Sequence, residues 1–235
     1  SCRPPRMNSK SRTRDRVRIG VVGCGAVAQI QHLPNLAFLR DEFDVTSVCD
    51  VSANLARGAA QEYGIATWHT DLAAFLNEPL EAVLLCHTDP KVDAALQVLD
   101  SGRHLFIEKP VAFVADDVDR MAAAAHGAHL VAQAGYMKLY DPAFIRVEQE
   151  VATMRDSLRF VQINHLHTDN RHHLSHFRLR RADDVPAADS DAFSARRQAD
   201  AARALGEVPE HVRSAFFGCS RVFTQPLDVR VVSWC

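Results

Sequence analysis

The stretch Gly20-Val21-Val22-Gly23-Cys24-Gly25-Ala26-Val27-Ala28 constrains this chain more than any other. An apolar, β-branched run ends in a glycine, and helix-compatible residues begin at once. Gly23 suits a turn too tight for a side chain. Gly25 suits a backbone that something must approach closely, and Ala28 suits a helix lying close on its strand. Such a helix start presents unpaired N–H groups and a positive dipole end, which together favour an anion such as a pyrophosphate. A glycine pattern alone would also fit an ordinary strand–turn–helix, so its surroundings decide the matter. The next β-rich run ends at Asp50, 22 residues beyond Ala28, where a carboxylate can accept hydrogen bonds from ribose hydroxyls.

The rest of the first half repeats the same alternation. Strands are predicted at Arg18–Val22, Val45–Cys49, Ala82–Cys86, His104–Ile107 and His129–Gln133, with a short one near Thr67–Trp68. Their unbroken apolar character suits strands covered on both faces. Between them, Val92, Ala95, Leu96 and Leu99 form one helical stripe and Val114, Val118, Met121, Ala122 and Ala125 another. Leu55, Ala59 and Tyr63 repeat the pattern more weakly. Asp116 and Asp117 stand near a helix N-terminus, and Pro34 should kink or restart the first helix. Strands alternating with helices predict an α/β fold of the Rossmann type: a doubly wound parallel sheet over residues 17–138. A second, incomplete α+β substrate or oligomerisation domain is expected over 139–235. Its predicted elements are helices at Pro142–Arg155, Ser190–Leu205 and Pro209–Phe217 and a long strand at Leu158–His167.

Composition narrows the function classes. The net charge of −2 gives the chain as a whole no reason to seek nucleic acid. The basic stretch 1–16 reads as a disordered leader rather than a binding arm. No run of 18 apolar residues exists, so no membrane span is expected. Cys2, Cys24, Cys49, Cys86, Cys219 and Cys235 show no pairing or metal-ligand spacing, which points to a reducing cytoplasm. His165 and His167 share a strand face, and His172, His173 and His176 follow. No cysteine or carboxylate set completes a metal site there, and none is expected; substrate-facing or solvated histidines fit better. Trp68 and Trp234 read as packing residues.

Glu108-Lys109-Pro110 follows the strand His104–Ile107, at the carboxyl end where open α/β sheets bind ligands. Lysine there can donate to a hydroxyl or carbonyl and move a proton. By position alone it reads equally well as a surface salt pair before a turn proline.

The combination resembles the glucose–fructose oxidoreductase / inositol dehydrogenase / rhizopine-catabolism (Gfo/Idh/MocA) family. The likeness rests on the glycine loop, the acid after the second strand and Gly102-Arg103-His104 leading into Glu108-Lys109-Pro110. Gly135-Tyr136-Met137-Lys138-Leu139-Tyr140-Asp141-Pro142-Ala143-Phe144 completes it. The resemblance implies NAD or NADP as cofactor, held by Gly23, Gly25, Ala26, Val27, Ala28, Asp50, His87, Thr88, Glu108 and Lys109. A carboxylate at Asp50 leans toward NAD, while Ser52 and Arg57 remain compatible with NADP. The resemblance further implies Lys109 and Lys138 as catalytic, a sugar, cyclitol or polyol substrate, and a cis Lys109–Pro110 bond; Tyr136, and from the strand pattern His165 and His167, are candidates to face that substrate. The chain departs from the family in two places. Asp93 follows the His87-Thr88-Asp89-Pro90 loop where a histidine is common, and Gln225 in Thr224-Gln225-Pro226-Leu227-Asp228 stands where a catalytic histidine is usual. Residues 1–235 are therefore expected to bind dinucleotide but turn substrate over poorly, and a non-catalytic cofactor-binding protein is the alternative. An unfinished sheet would expose edges that invite homo-oligomers.

Overall fold

The computed structural model describes residues 16–88, 90–160, 172 and 174–220, with side chains as far as 216. Six strands form one sheet: β1 (Val17–Val22), β2 (Phe43–Cys49), β3 (Thr67–His69), β4 (Ala82–Leu85), β5 (His104–Ile107) and β6 (Ala132–Ala134). Their spatial order is β3-β2-β1-β4-β5-β6, and every neighbouring pair is parallel. This is the Rossmann order, and the chain reverses direction of growth between β1 and β4. That reversal opens a crevice at the carboxyl ends of the two strands.

The period of two along each strand divides the core. Ile19, Val21, Val48 and Leu84 pack with Leu33, Leu55 and Ala59 on one face, while Val22, Cys49, Val83 and Leu85 join Phe75, Val98 and Leu99 in the other cluster. The helices are α1 (Leu33–Phe38), α2 (Ala53–Tyr63), α3 (Leu72–Phe75), α4 (Val92–Asp100), α5 (Ala115–Gly127), α6 (Pro142–Thr153), α7 (Ala187–Leu205) and α8 (Glu210–Ser220). A π-helical turn, Ala28–His32, precedes α1, with the Leu33 N–H donating to the Ala28 carbonyl. Pro34 then stands in the first turn of α1, where its missing N–H costs least. Of the predicted kink or restart, what forms is a change from π- to α-helical pattern just before that proline, with the helix unbroken.

Local patterns misled in four places. β6 begins at Ala132 rather than His129, because His129 takes a left-handed φ of 54° and the Leu130 N–H closes back on the Ala125 carbonyl. Trp68 packs only in part: β3 is an edge strand and the residue is 42% exposed. Asp117 is more than a complement to the α5 dipole. Its buried carboxylate accepts from Arg203 at 3.0 and 3.1 Å and from Arg120 at 2.9 Å, which fastens α7 to α5. Arg196 of α7 also pairs with Asp93, and Phe216 of α8 meets Phe113 edge-on at 5.5 Å. Finally, residues 158–160 lie outside any strand, and the remainder of the strand predicted to His167 falls outside the described residues. Beyond β6 the described elements are helical, so the α+β character expected there is not seen among them.

Among the described residues no helix is long and apolar enough to cross a membrane, and no cluster of three or more metal-type ligands occurs. Cys24 and Cys49 are free and buried and Cys86 is free and half-buried, so these thiols act as small apolar groups. Burial, with the Asp50 charge second, pushes the Cys49 thiol up to about 12.

Candidate dinucleotide site at the sheet crevice

The glycine loop is held by the backbone it leaves. The Gly23 N–H donates to the Cys49 carbonyl at 2.8 Å, tying the loop to the end of β2. Gly23 has φ +91°, and a Cβ there would lie 2.4 Å from the His87 backbone nitrogen, so the ends of β1 and β4 meet across a position only glycine fills. Gly25 differs: a Cβ there would meet nothing within 4 Å. The free space above its backbone is what an approaching pyrophosphate requires, and the residues present therefore fit a dinucleotide. Ala26 and half-exposed Val27 begin the helix, and Ala28 is fully buried against the sheet.

Asp50 closes the loop from the β2 side. Its carboxylate accepts from the Cys24 N–H at 2.7 Å and from the Ser52 N–H at 2.9 Å. Burial raises its pKa above the ordinary carboxylate value; the two N–H donors oppose the rise, and the charge of Asp184 adds to it. Ser52 caps α2 by accepting from the Leu55 N–H.

His87 and Thr88 follow β4 on the other side of the crevice, Thr88 exposed and His87 mostly buried. Burial, and then the Lys91 ammonium, lower the His87 imidazole to about 4, while its hydrogen bond to the Pro90 backbone works the other way. Its Nδ1 is buried with no partner among the described residues. The unfolded chain takes up this proton near 6.5 and the native state only near 4. Native stability should therefore fall as pH drops through that interval. Urea midpoints measured across it should decline less steeply for His87→Asn than for the parent; equal slopes would remove His87 as the cause.

At the end of β5, the Glu108 carboxylate reaches the His32 Nε2 at 2.7 Å through Oε1 and accepts from the Lys109 N–H at 3.2 Å through Oε2. The π-helical turn thus delivers His32 to the lysine loop. The Lys109–Pro110 bond is cis, as the resemblance implies, and the Lys109 side chain is exposed. Lys138 is exposed on a 3-10 turn, Met137–Tyr140, just after β6, and Tyr136 is half-buried beside the core. His165 and His167 lie outside the described residues, as do His173, Gln225 and Trp234; His172 and His176 stack edge-on at 5.1 Å.

Two neighbours of the site escaped sequence reasoning. His32 lies four residues after Ala28, a spacing that could have flagged it. The segment around Arg180 and Asp184, seated on Gln29 and on α2, carries no local signal.

Residues 17–136 match the model of the Gfo/Idh/MocA oxidoreductase family, described as an NAD-binding Rossmann fold. An inositol 2-dehydrogenase/D-chiro-inositol 3-dehydrogenase of Shouchella clausii is 35% identical over 138 residues, covering 57% of this chain and 39% of the relative. An inositol 2-dehydrogenase of Ralstonia nicotianae is 32% identical over 140 residues, covering 57% and 41%. The chain thus spans about two fifths of the length of these curated relatives. Among solved structures, scyllo-inositol dehydrogenase of Lactobacillus casei with bound NAD(H) and scyllo-inositol superposes with a TM-score of 0.54 at 21% identity, covering 60% of this chain and 42% of that one. The WlbA dehydrogenase of Bordetella pertussis, in complex with NADH and UDP-GlcNAcA, gives 0.55 at 23%, covering 60% and 43%. At those identities the likeness is one of fold.

Proposed function

Because the chain belongs to the Gfo/Idh/MocA oxidoreductase family, we propose that it binds a nicotinamide dinucleotide in the β1–β4 crevice and oxidises a carbinol carbon of a cyclitol, sugar or related polyol. The observation that carries this reading is the open space over Gly25, in a loop whose next-door Cys24 N–H is already bonded to Asp50. Gly23, Gly25, Ala26, Val27 and Ala28 would hold the pyrophosphate, Asp50 the adenosine ribose, and His87, Thr88 and Glu108 the nicotinamide side. When bound, the nicotinamide supplies the hydride acceptor.

The chain's own groups handle the proton. Lys109 would hydrogen-bond the substrate hydroxyl and take its proton as the C–H pair leaves, so that the carbinol becomes a carbonyl. Glu108 fixes the Lys109 backbone, and His32 fixes Glu108. Lys138 would add a second cation and Tyr136 would stand on the substrate side; His165 and His167 lie outside the described residues. The acid at Asp50 favours an unphosphorylated ribose and hence NAD. The names of the inositol dehydrogenases among the relatives favour a cyclitol substrate.

Titrating the protein with NADH and NADPH, then screening inositols and sugars for formation of reduced cofactor, tests the reading. Saturable binding is expected, with at most slow turnover on a polyol. Binding without turnover on any polyol would favour the non-catalytic alternative, and no binding of either dinucleotide would overturn both.

A further inference from the structure

The segment just before α7 crosses the start of α2 at the end of the crevice where the adenosine ribose would lie. Its backbone is clasped by a side-chain amide from the glycine-loop helix. The Arg180 N–H donates to the Gln29 Oε1 at 2.9 Å, and the Gln29 Nε2 donates to the Arg180 carbonyl at 3.2 Å. The same Nε2 donates to the Cys24 carbonyl at 2.9 Å, so the segment is tied to the loop itself. Four residues on, the Asp184 carboxylate accepts from the Asn54 N–H at 2.9 Å and from the Ser52 hydroxyl. Asp183 accepts from the Asn54 side chain at 2.7 Å.

These contacts bear on cofactor choice, which deepens the dinucleotide reading proposed above and rests on it. A 2′-phosphate on the adenosine ribose would need donors from the turn between β2 and α2, and Ser52 and Arg57 are the residues there suited to supply them. The Ser52 hydroxyl proton is committed to Asp184, and the Arg57 guanidinium donates to the Asn54 Oδ1 at 2.9 Å. A second carboxylate therefore occupies the α2 N-terminus, two residues past Asp50. We propose that Asp184 is a specificity-determining residue that selects NAD over NADP by holding a negative charge where the 2′-phosphate would bind.

The direction of two acidities agrees with that closeness. The Asp184 charge raises the pKa of Asp50, while the Ser52 hydroxyl and the Asn54 N–H lower that of Asp184. An unphosphorylated ribose has hydroxyls to donate and loses nothing beside two carboxylates. A phosphate meets like charge and finds the helix donors taken. Arg57, Arg180 and Arg181 line an adjoining cavity of about 310 Å³. Cationic surroundings lie close to a carboxylate that outbids the phosphate for the same donors, so loss of its charge should have a large effect.

Dissociation constants for NADH and NADPH, measured on the whole chain for the parent, Asp184→Asn and Asp183→Asn, test the assignment. Asparagine keeps an acceptor for the Asn54 N–H, turns an amide N–H toward the Ser52 oxygen, and removes the charge. The parent is expected to bind NADH at least about tenfold tighter than NADPH. Asp184→Asn should narrow that ratio by about tenfold, consistent with one like charge removed at a few ångströms near a surface. Its NADH affinity should stay within about threefold of the parent. The narrowing should shrink in high salt, which a merely structural role would not produce. Asp183→Asn should change the ratio less than Asp184→Asn does.

A parent that prefers NADPH would overturn the inference in favour of the arginine-lined cavity as a phosphate site. NADH binding by the parent with an unchanged ratio in Asp184→Asn would overturn this inference and leave the dinucleotide reading standing. A large gain in NADH affinity in Asp184→Asn would also overturn it, since the segment would then be a plug rather than a selector. A parent that binds neither dinucleotide would overturn the dinucleotide reading and this one with it.

Discussion

Gly25→Val is expected to lower NADH affinity by about 10²–10⁴ while leaving the fold intact. A Cβ at Gly25 would meet nothing within 4 Å beyond its chain neighbours, so a valine there extends into the volume a pyrophosphate would take. Losing two charge-assisted hydrogen bonds between the helix N-terminus and the phosphates, at roughly 1.5–3 kcal/mol each, gives that range on conversion to an affinity ratio. The thermal midpoint should move by no more than about 2 °C, as for a surface substitution in a domain of this size. Gly23→Ala makes the contrast. It places a Cβ 2.4 Å from the His87 backbone nitrogen at φ +91°, so β1 and β4 must separate and the midpoint itself should drop. Isothermal titration and thermal melts on both variants separate the two roles. Unchanged NADH affinity in Gly25→Val would show that the phosphates bind elsewhere.

The second large effect is expected at Lys109. Methionine there keeps the length and apolar stem and removes the amine, so turnover of the best polyol substrate should fall by about 10²–10⁴, the usual cost of losing one general acid–base group. NADH affinity should fall far less than turnover, because the proton transfer is made only in the transition state. Lys109→Arg should not rescue, since a guanidinium does not release its proton. Steady-state kinetics with the polyol at saturation give the answer, and a variant that keeps the parent's turnover would remove Lys109 from the chemistry.

The parts of this molecule that follow from local pattern were legible before any coordinates. The strand His104–Ile107 needed no adjustment, nor did the placement of the glycine loop after β1 and of Asp50 after β2, or the change of helix at Pro34. Each depends on residues a few positions apart, where pleat, helical turn and missing N–H groups act directly. The cis Lys109–Pro110 bond was legible only through family resemblance, since nothing in the neighbouring residues demands it.

What stayed hidden joins residues far apart in the chain. Glu108 was expected at the cofactor, but its partner was not: His32 comes within 2.7 Å of it from a helix 76 residues earlier. Asp117 has the local signature of a helix-dipole partner, and only the return of Arg203, 86 residues later, shows why it is buried. Asp184 sits in a stretch that reads as polar and irregular, and its meaning comes entirely from Ser52 and Asn54. Trp68 shows the reverse error: a bulky aromatic invites a packing role, but on an edge strand it is left 42% exposed.

The clamp on Asp117 also sets how this molecule comes apart. Ala201 is the one fully buried residue of α7, so that helix adds little apolar area to the core and is held chiefly by arginines that are about half exposed. The parallel sheet, by contrast, rests on two continuous apolar clusters. Two such unequal kinds of adhesion do not melt together. Backbone amides of residues 187–205 should open to solvent from a partly unfolded form in which the sheet is still whole, so the molecule comprises a slowly opening body and a helix with a much shorter residence on it.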